Sequence, residues 1–268
     1  MLFNFHTHTT FSDGKNTPEE IVNYAIEKGF KTLGFSDHAF TKHDQRYCMK
    51  EEKGYILEIN RLKKKYADQL QIYLGVEEDA SQPTNRNFFD YIIGSLHYLK
   101  FDNKNHIMDS TYGYYTDCAR YYGNDIVMAQ AYYDRFISYI QARKPDIVGH
   151  FDLITKFDET EKGRFLKNER YWEIAEAAVL KAVKSDCIFE VNTGLMTRNY
   201  RTNPCPHERL LKIIAKNGGR ITLSSDAHQA QNLCAYFDEM KIMLRSIGFD
   251  GVYVLYDGQW QKMNLEKK

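Results

Sequence analysis

The sequence predicts an α/β protein built around a mostly parallel sheet of seven principal strands. Short apolar segments alternate with amphipathic helical segments along the chain, which is the pattern of successive βα units. No Pro-, Gly- or Ser-rich linker interrupts this alternation, so residues 1–268 are predicted to form one domain. The same alternation fits an open doubly wound sheet or a closed barrel, because periodicity alone does not separate the two.

The first βα unit carries the clearest boundary signals. Leu2–Phe5 is the first predicted strand. Thr17 and Glu20 form a capping box at the start of the following helix, and Pro18 takes the first helical position. Gly29 stands where a glycine commonly ends a helix.

The later elements follow the same alternation. The further strands are predicted at residues 32–36, 72–76, 91–95, 146–149, 187–191 and 220–224. The further helices are predicted at residues 54–67, 126–143, 168–184, 206–217 and 231–247. Residues 98–125 are polar and rich in Tyr, and we expect a long irregular surface excursion there. Residues 256–259 contain an Asp-Gly turn, which predicts a C-terminal hairpin beyond residues 252–255 rather than an eighth barrel strand.

Composition excludes several classes of protein. Lys plus Arg and Asp plus Glu each number 36, so the net charge is zero and a dedicated nucleic-acid binder is not expected. No apolar run approaches the roughly 18 residues of a membrane span, and no export signal is visible at the N-terminus. The five cysteines form no C-x-x-C pair, which favours a reducing cytoplasm.

Histidines cluster at the ends of the predicted strands. Of nine histidines, six lie just beyond the C-terminal end of a predicted strand: His6, His8, His38, His97, His150 and His228. In a βα barrel these strand ends converge on one face, where active sites are built. We therefore expect side chains that are distant in sequence to meet in one pocket.

Two local patterns suit metal binding. In the extended segment His6-Thr7-His8 the two imidazoles point to the same side, and Asp226-Ala227-His228 repeats this spacing with a carboxylate. Glu77 follows an apolar strand, where a lone carboxylate is costly unless it is paired or bound to metal. Any one of these residues alone is also typical of ordinary rim or salt-bridged positions. As a set of nitrogen and oxygen ligands without Cys, they predict two or three divalent ions of Zn, Mn or Fe.

The motifs together resemble the PHP (polymerase and histidinol phosphatase) family. The matching segments are His6-Thr7-His8-Thr9, Ser12-Asp13-Gly14, Ser36-Asp37-His38, Gly75-Val76-Glu77, Gly94-Ser95-Leu96-His97, Gly149-His150 and Ser225-Asp226-Ala227-His228. They occur in the family order over residues 6–228. The resemblance implies a distorted (β/α)7 TIM-like barrel, in agreement with the seven strands counted from the alternation.

The resemblance also implies a three-metal centre. The first ion would be bound by His6, His8, Glu77 and Asp226. Glu77 would bridge to a second ion held by His97 and His150. The third ion would be held by Asp13, His38 and His228, with Asp13 standing where some relatives carry histidine.

Within the family, the free-standing length and residues 190–195 with Arg198 resemble the histidinol-phosphate phosphatases. The implied reaction is hydrolysis of L-histidinol phosphate to L-histidinol and phosphate in histidine biosynthesis. A small-molecule phosphomonoester is then the expected partner, with no nucleic acid or membrane. Arg198 and, after it, Arg164 are the predicted phosphate-binding residues, because a guanidinium clamps phosphate through planar donors. Arg201 lies on the same predicted rim as Arg198.

The hypothesis for the mechanism is attack by a hydroxide that bridges two ions. Glu77 would hold those ions, and Asp226 or a rim histidine such as His228 would transfer the proton. Three alternatives stay open at this point: a PHP nucleotide phosphatase or phosphodiesterase, an amidohydrolase-type C–N hydrolase, and a non-enzymatic metal-binding scaffold. The amidohydrolase type also begins with H-x-H, although Glu77 is unlike the lysine that commonly bridges its site.

Overall fold

The computed structural model describes residues 1–265. The strands are β1 (Leu2–Asn4), β2 (Phe30–Phe35), β3 (Gln71–Asp79), β4 (Tyr91–Ser95), β5 (Tyr98–Phe101), β6 (Lys104–Ile107), β7 (Ile147–Val148), β8 (Ile188–Asn192), β9 (Arg220–Ser224), β10 (Gly251–Tyr256) and β11 (Gln259–Asn264). The helices are α1 (Pro18–Glu27), α2 (Glu52–Lys65), α3 (Tyr112–Tyr122), α4 (Asp125–Arg143), α5 (Glu169–Val183), α6 (Gly194–Thr197), α7 (Glu208–Lys216) and α8 (Phe237–Ile247). No helix among these residues is both long enough and apolar enough to cross a bilayer.

Seven parallel strands form the wall of a barrel in the order β1-β2-β3-β4-β7-β8-β9. Thr7 and Ala227, just beyond β1 and β9, form a parallel bridge that joins the two ends of this sheet. The Ala227 carbonyl accepts a hydrogen bond from His8 N at 2.9 Å, and Ala227 N donates to the His6 carbonyl at 3.1 Å. The wall therefore closes only at its C-terminal end, and the predicted distorted (β/α)7 barrel is confirmed over the open sheet.

The first βα unit forms as its boundary signals predict. Thr17 Oγ1 accepts a hydrogen bond from Glu20 N, and a Glu20 carboxylate oxygen accepts one from Thr17 N at 2.8 Å. Gly29 has φ of 79°, the left-handed conformation that only glycine adopts readily. The apolar face of α1 is buried against the sheet, which fixes the direction in which the chain re-enters the barrel as β2.

The expectation of an irregular excursion at residues 98–125 is wrong. The segment contains the β5–β6 hairpin and helix α3, and Tyr98, Leu99, Met108 and Tyr115 are buried. The polar composition of this segment does not exclude burial, because a tyrosine can bury its large ring while its hydroxyl forms a hydrogen bond. Tyr98, for example, shares a hydrogen bond between hydroxyl groups with Tyr47 at 2.6 Å. The segment thus packs over the rim of the barrel beside the end of β4.

The predicted C-terminal hairpin is confirmed, and it covers the N-terminal end of the barrel. Strands β10 and β11 pair antiparallel across a two-residue turn in which Asp257 and Gly258 both have positive φ. The Trp260 ring packs edge-on against Phe5 with a centroid separation of 5.3 Å. Thr32 Oγ1 donates to the Leu255 carbonyl at 2.9 Å. The hairpin therefore closes the end of the barrel opposite the histidines.

Tyr91 fills the barrel interior below the histidine-bearing rim. A Cβ added to Gly75 would lie 2.1 Å from the Tyr91 ring, so this ring requires glycine in the neighbouring strand. Its hydroxyl donates to the carbonyl of Phe5 at 2.6 Å. Because Phe5 directly precedes His6, the filled interior supports the segment that carries the H-x-H pair.

Candidate metal centre

The six strand-end histidines converge at the C-terminal face of the barrel, where His38, His97, His150 and His228 line a cavity and His6 and His8 are buried behind it. The cavity has a volume of about 310 Å³ and is open to solvent on one side. Its base is formed by Glu77 together with several of the imidazoles. Glu77 lies within β3 rather than after it, because β3 continues to Asp79, three residues beyond the predicted end.

Glu77 lies at the centre of the imidazoles. Its Oε2 is 2.8 Å from His38 Nδ1 and 3.3 Å from His6 Nε2. Its Oε1 is 2.9 Å from His150 Nε2 and 3.5 Å from His97 Nε2. His8 Nε2 lies 3.6 Å from Oε2. One carboxylate thus faces five imidazoles from four different strand ends, while its own side chain is almost fully buried.

Asp226, Asp13 and the remaining imidazoles extend the cluster toward the opening. Asp226 Oδ1 is 3.2 Å from His8 Nε2, and Asp13 Oδ2 is 3.3 Å from His228 Nε2. The backbone of Asp226 has φ of 47°, a conformation that Asp tolerates better than most residues. All nine predicted ligands therefore lie in one connected cluster.

The buried atoms of this cluster fit divalent cations. Five of them lack a hydrogen-bond partner: His6 Nε2, His8 Nδ1, His8 Nε2, Glu77 Oε2 and His150 Nδ1. Leaving such groups unpaired is costly, and a cation that accepts their lone pairs removes the cost. Three sets place their potential ligand atoms within 4.8 Å of one another: His6, His8 and Glu77; His38, Glu77 and His97; and His8, Asp13, His38 and His228. Nitrogen and oxygen donors in these combinations suit Zn, Mn or Fe.

Carboxylates behind the cluster orient the imidazoles, and sequence reasoning did not assign them this role. Glu190 accepts a hydrogen bond from His6 Nδ1 at 2.8 Å and another from His150 N at 2.6 Å. Asp79 lies 3.2 Å from His97 Nδ1 and accepts from the backbone N of His97 at 2.6 Å. Such outer carboxylates fix the ring orientation of metal-binding histidines. The available signal was that each is an acidic residue at the C-terminal part of a barrel strand.

The charges of the cluster shift one another's pKa values. Burial opposes ionisation of Glu77, but the imidazoles of His38, His6 and His97 hold its pKa well below the usual range. Burial also opposes protonation of His6, yet Glu190 and other carboxylates raise its pKa well above the usual value. For His8, burial and the nearby His38 and His228 lower the pKa to about 3. Neutral His8 is thus available as a ligand without losing a proton.

The two predicted phosphate-binding arginines lie in different places. Arg198 lines the cavity, where it donates to Asp226 Oδ2 at 2.9 Å. Arg164 does not reach the cavity: its guanidinium donates to Asp125 at 2.6 Å and lies over the Tyr115 ring. The prediction for Arg164 fails because the loop after β7 carries it to the outer surface near α3 and α4.

Other cationic and imidazole groups also have defined positions. Arg201 is fully buried in an ion pair with Asp152 at 3.2 Å, away from the cavity. Lys156, which the sequence did not single out, lines the cavity beside Arg198. The three unmatched histidines, His43, His106 and His207, are half-buried and lie outside the cluster.

A βα barrel that gathers imidazoles and carboxylates at its C-terminal face defines a class, the metal-dependent barrel hydrolases. The PHP domain family model matches residues 4–194, which is most of the chain. The chain therefore belongs to the PHP domain family, and the resemblance seen in the motifs is confirmed.

Similar proteins align over nearly the whole chain. A Schizosaccharomyces pombe relative named "probable histidinol-phosphatase" is 26% identical over 265 residues, covering 90% of this chain and 84% of its own length. The Bacillus subtilis histidinol-phosphatase is 26% identical over 250 residues, covering 84% of this chain and 92% of its own length.

Solved structures share the fold. A Listeria monocytogenes structure has a TM-score of 0.77 at 23% identity, covering 88% of this chain and 99% of its own. The Lactococcus lactis histidinol phosphate phosphatase, solved with zinc, L-histidinol and phosphate, has a TM-score of 0.73 at 20% identity. That alignment covers 97% of this chain and 99% of the other.

Proposed function

We propose that this protein is a metal-dependent phosphomonoester hydrolase that converts L-histidinol phosphate and water to L-histidinol and phosphate, a step of histidine biosynthesis. The observation that carries the proposal is the convergence of five imidazoles on Glu77, in a cluster where five buried nitrogen and oxygen atoms lack a hydrogen-bond partner. Relatives that align over most of the chain carry this activity in their names.

The proposed ligands divide into the sets implied by the family. His6, His8, Glu77 and Asp226 would hold one ion, and Glu77 would be shared with a second ion held by His97 and His150. A third ion would be held by Asp13, His38 and His228. When bound, such cations lower the pKa of a coordinated water and neutralise the oxygens of a phosphoryl group. The distances between Glu77 and its five neighbouring imidazoles, 2.8 to 3.6 Å, support this shared position.

The substrate phosphate lies on the cationic side of the cavity. Arg198 supplies a planar pair of donors next to Asp226. Lys156, rather than Arg164, supplies the second positive charge, since it lines the same cavity. Burial lowers the pKa of Lys156 while Asp109 opposes this effect. The two cations thus attract the phosphate into the opening and hold it against the cluster.

Proton transfer falls to Asp226 or His228, which lie on the open side of the cluster. Arg198 engages Asp226 Oδ2, so Asp226 Oδ1 is the oxygen that faces the imidazoles. The His228 side chain is a quarter exposed and its Nδ1 is 2.9 Å from the Asp226 carbonyl oxygen. From there either group would take the proton released by the attacking water and pass it to the alkoxide of the departing alcohol.

A substrate panel tests the function. The protein is purified, loaded in turn with Zn, Mn or Fe, and assayed for phosphate release from L-histidinol phosphate, from nucleoside monophosphates and from a bis-ester. We expect kcat/KM to be highest for L-histidinol phosphate and activity to vanish after chelation. Preference for a nucleotide or a diester would assign the protein to another activity of the same family. Hydrolysis of an amide or lactone in place of phosphate esters would overturn the proposal.

We also place the enzyme in the cytoplasm. All five cysteines are free thiols, and four of them are buried, which is typical of proteins from a reducing compartment.

A further inference from the structure

The carboxylate of Asp109 lies at the edge of the cavity without a hydrogen bond. Its side chain is 17% exposed, and its Oδ1 is buried without a partner. Lys156 Nζ lies 3.7 Å from its Oδ2, which is too far for a hydrogen bond. The other carboxylates that line the cavity, those of Asp13, Glu77 and Asp226, all belong to the metal-binding sets. Asp109 is therefore the acidic residue of the cavity lining that belongs to none of the proposed metal-binding sets.

The fold holds Asp109 in a fixed place. The preceding residue, Met108, is fully buried and its backbone N donates to the carbonyl of His97 at 2.9 Å. Lys156 Nζ donates to the Asp109 carbonyl at 2.5 Å. These two anchors join Asp109 to the metal cluster on one side and to the phosphate-binding cations on the other. In agreement, the charge of Asp109 contributes to raising the pKa of His97 and of Arg198.

Lys156 forms only a long ion pair with this carboxylate, with 3.7 Å between Nζ and Oδ2. Its ammonium lies over the Tyr200 ring at 5.0 Å and the Phe157 ring at 5.5 Å. Burial lowers its pKa despite the opposing charge of Asp109. A phosphate bound at Arg198 and Lys156 attracts the lysine ammonium toward itself. The negative charge of the Asp109 carboxylate at the cavity is then uncompensated, which is costly unless a cation binds there.

We propose that Asp109 binds the ammonium group of the substrate and thereby selects phosphate esters of amino alcohols. This inference rests on the proposed function. In L-histidinol phosphate the ammonium nitrogen is separated from the ester oxygen by only two carbons. Phosphate on the side of Arg198 and ammonium on the side of Asp109 therefore match the opposite charges of the cavity. Asp109 is a specificity-determining residue and takes no part in breaking the ester bond.

The test compares two substrates that differ only in the amine. L-Histidinol phosphate and 3-(imidazol-4-yl)propyl phosphate are assayed with the wild type and with Asp109→Asn, all loaded with the same metal. We expect the variant to lose about 10- to 100-fold in kcat/KM on the amine substrate, the size of one charged hydrogen bond. The rate on the deamino substrate should stay within about twofold. The affinities of metal-loaded protein for L-histidinol and for its deamino alcohol, measured by calorimetry, should change in the same way.

Control variants separate recognition from a structural role. Asp117→Asn on α3 removes an exposed carboxylate paired with Arg120 and should leave kcat/KM unchanged for both substrates. Lys156→Gln should lower kcat/KM for both substrates by the same factor, because both carry the phosphate. If Asp109→Asn lowers kcat/KM by the same factor for both substrates, Asp109 acts only by holding Lys156 and the inference is wrong. The inference is also wrong if the variant has the same kcat/KM as the wild type on both substrates.

Failure of the proposed function gives a different result. Wild-type protein would then cleave other phosphomonoesters but not L-histidinol phosphate. In that case phosphoethanolamine and ethyl phosphate form the substrate pair. If the ratio of kcat/KM for phosphoethanolamine to that for ethyl phosphate falls in Asp109→Asn, recognition of the amine is supported. If this ratio stays constant, the inference is wrong.

Discussion

Glu190 lies directly behind His6: its carboxylate accepts a hydrogen bond from Nδ1 of that imidazole at 2.8 Å, which leaves Nε2 to face Glu77 at 3.3 Å. The same carboxylate accepts from the backbone N of His150 and from Ser224 Oγ. A buried acid of β8 thus holds residues just beyond β1 and β7 and a residue of β9. The orientation of the inner imidazoles is set by this outer layer and not only by the metal.

Replacing Glu190 by Gln should weaken metal binding by about 10- to 100-fold. An amide keeps the size of the side chain but removes the charge that favours the Nδ1–H form of His6. The affinity is measured by competition with a chelator. Asp37→Asn, which alters a buried carboxylate bonded to Thr9 and Ser12, is the control for a general loss of rigidity. Equal affinities in Glu190→Gln and wild type would contradict an orienting role.

The adjacent acids Glu77 and Glu78 should give opposite results. Glu77→Gln should lower kcat by at least about a thousand-fold while circular dichroism still reports a folded barrel, because the substitution removes the charge of the proposed central ligand. Glu78 points away from the cavity and pairs with Arg143 and Tyr139. Glu78→Gln should lower the melting temperature but keep the metal content and kcat. A fully active Glu77→Gln protein would show that the cluster is not the catalytic site.

The two arginines predicted from sequence can be compared directly. Arg198→Ala should lower kcat/KM by about 10- to 100-fold, since it removes a charged donor next to Asp226. Arg164→Ala should keep the rate within about twofold, because Arg164 pairs with Asp125 outside the cavity. Metal content is measured for both variants, so that loss of an ion is not mistaken for loss of phosphate binding. A slower Arg164→Ala enzyme with normal metal content would restore the sequence prediction.

Metal affinity should rise with pH. In the metal-free protein burial opposes protonation of His97, but Glu77 and Asp79 raise its pKa to about 10, so the ring is protonated at neutral pH. An ion must displace that proton, and the logarithm of the affinity should increase by about one per pH unit for each proton released. Zinc affinities at pH 6, 7 and 8 test this dependence. A flat profile would mean that the ligands are already neutral.

The same shift affects the stability of the metal-free protein. Because the pKa of His97 is raised on folding, its contribution to stability is complete below the usual value of 6.5 and is lost as pH rises toward about 10. Denaturation curves should therefore give a lower free energy of unfolding for the metal-free protein at pH 9 than at pH 6. Metal-loaded protein should not share this decline, since its His97 carries no proton.

The C-terminal hairpin should stabilise the barrel without affecting the chemistry. Trp260→Ala removes the ring that packs on Phe5 and Tyr91. We expect a loss of about 2 kcal/mol in the free energy of unfolding, less than for a fully buried Trp because Trp260 is half-buried. Gln261→Ala, at an exposed position of the same strand, is the control. Loss of kcat without loss of stability would contradict this separation.

The sequence predicts the inner part of the site better than the outer part, for a physical reason. Parallel strands of a barrel end on one face, so a histidine or acid at a strand end is placed by topology alone, as for His6, Glu77 and His150. The roles of Glu190 and Asp109 depend on which side chain packs behind or beside another. No local pattern carries that information.

The two incorrect predictions, for Arg164 and for residues 98–125, also concern features that depend on tertiary packing. The direction of the loop after β7 is set by its packing on α3 and α4, and this packing removes Arg164 from the cavity that admits Lys156. The buried tyrosines of residues 98–125 were likewise invisible to a pattern based on polarity.

The bridge between Thr7 and Ala227 determines when the centre can form. A nascent polypeptide on the ribosome carries His6 and His8 long before Asp226 and His228 are translated. Until then the first strand has no neighbour on one side, and its two imidazoles form only an incomplete chelate. The complete set of proposed ligands therefore exists only after synthesis has passed β9, and an ion that needs Asp226 or His228 would bind the finished ring rather than the growing chain.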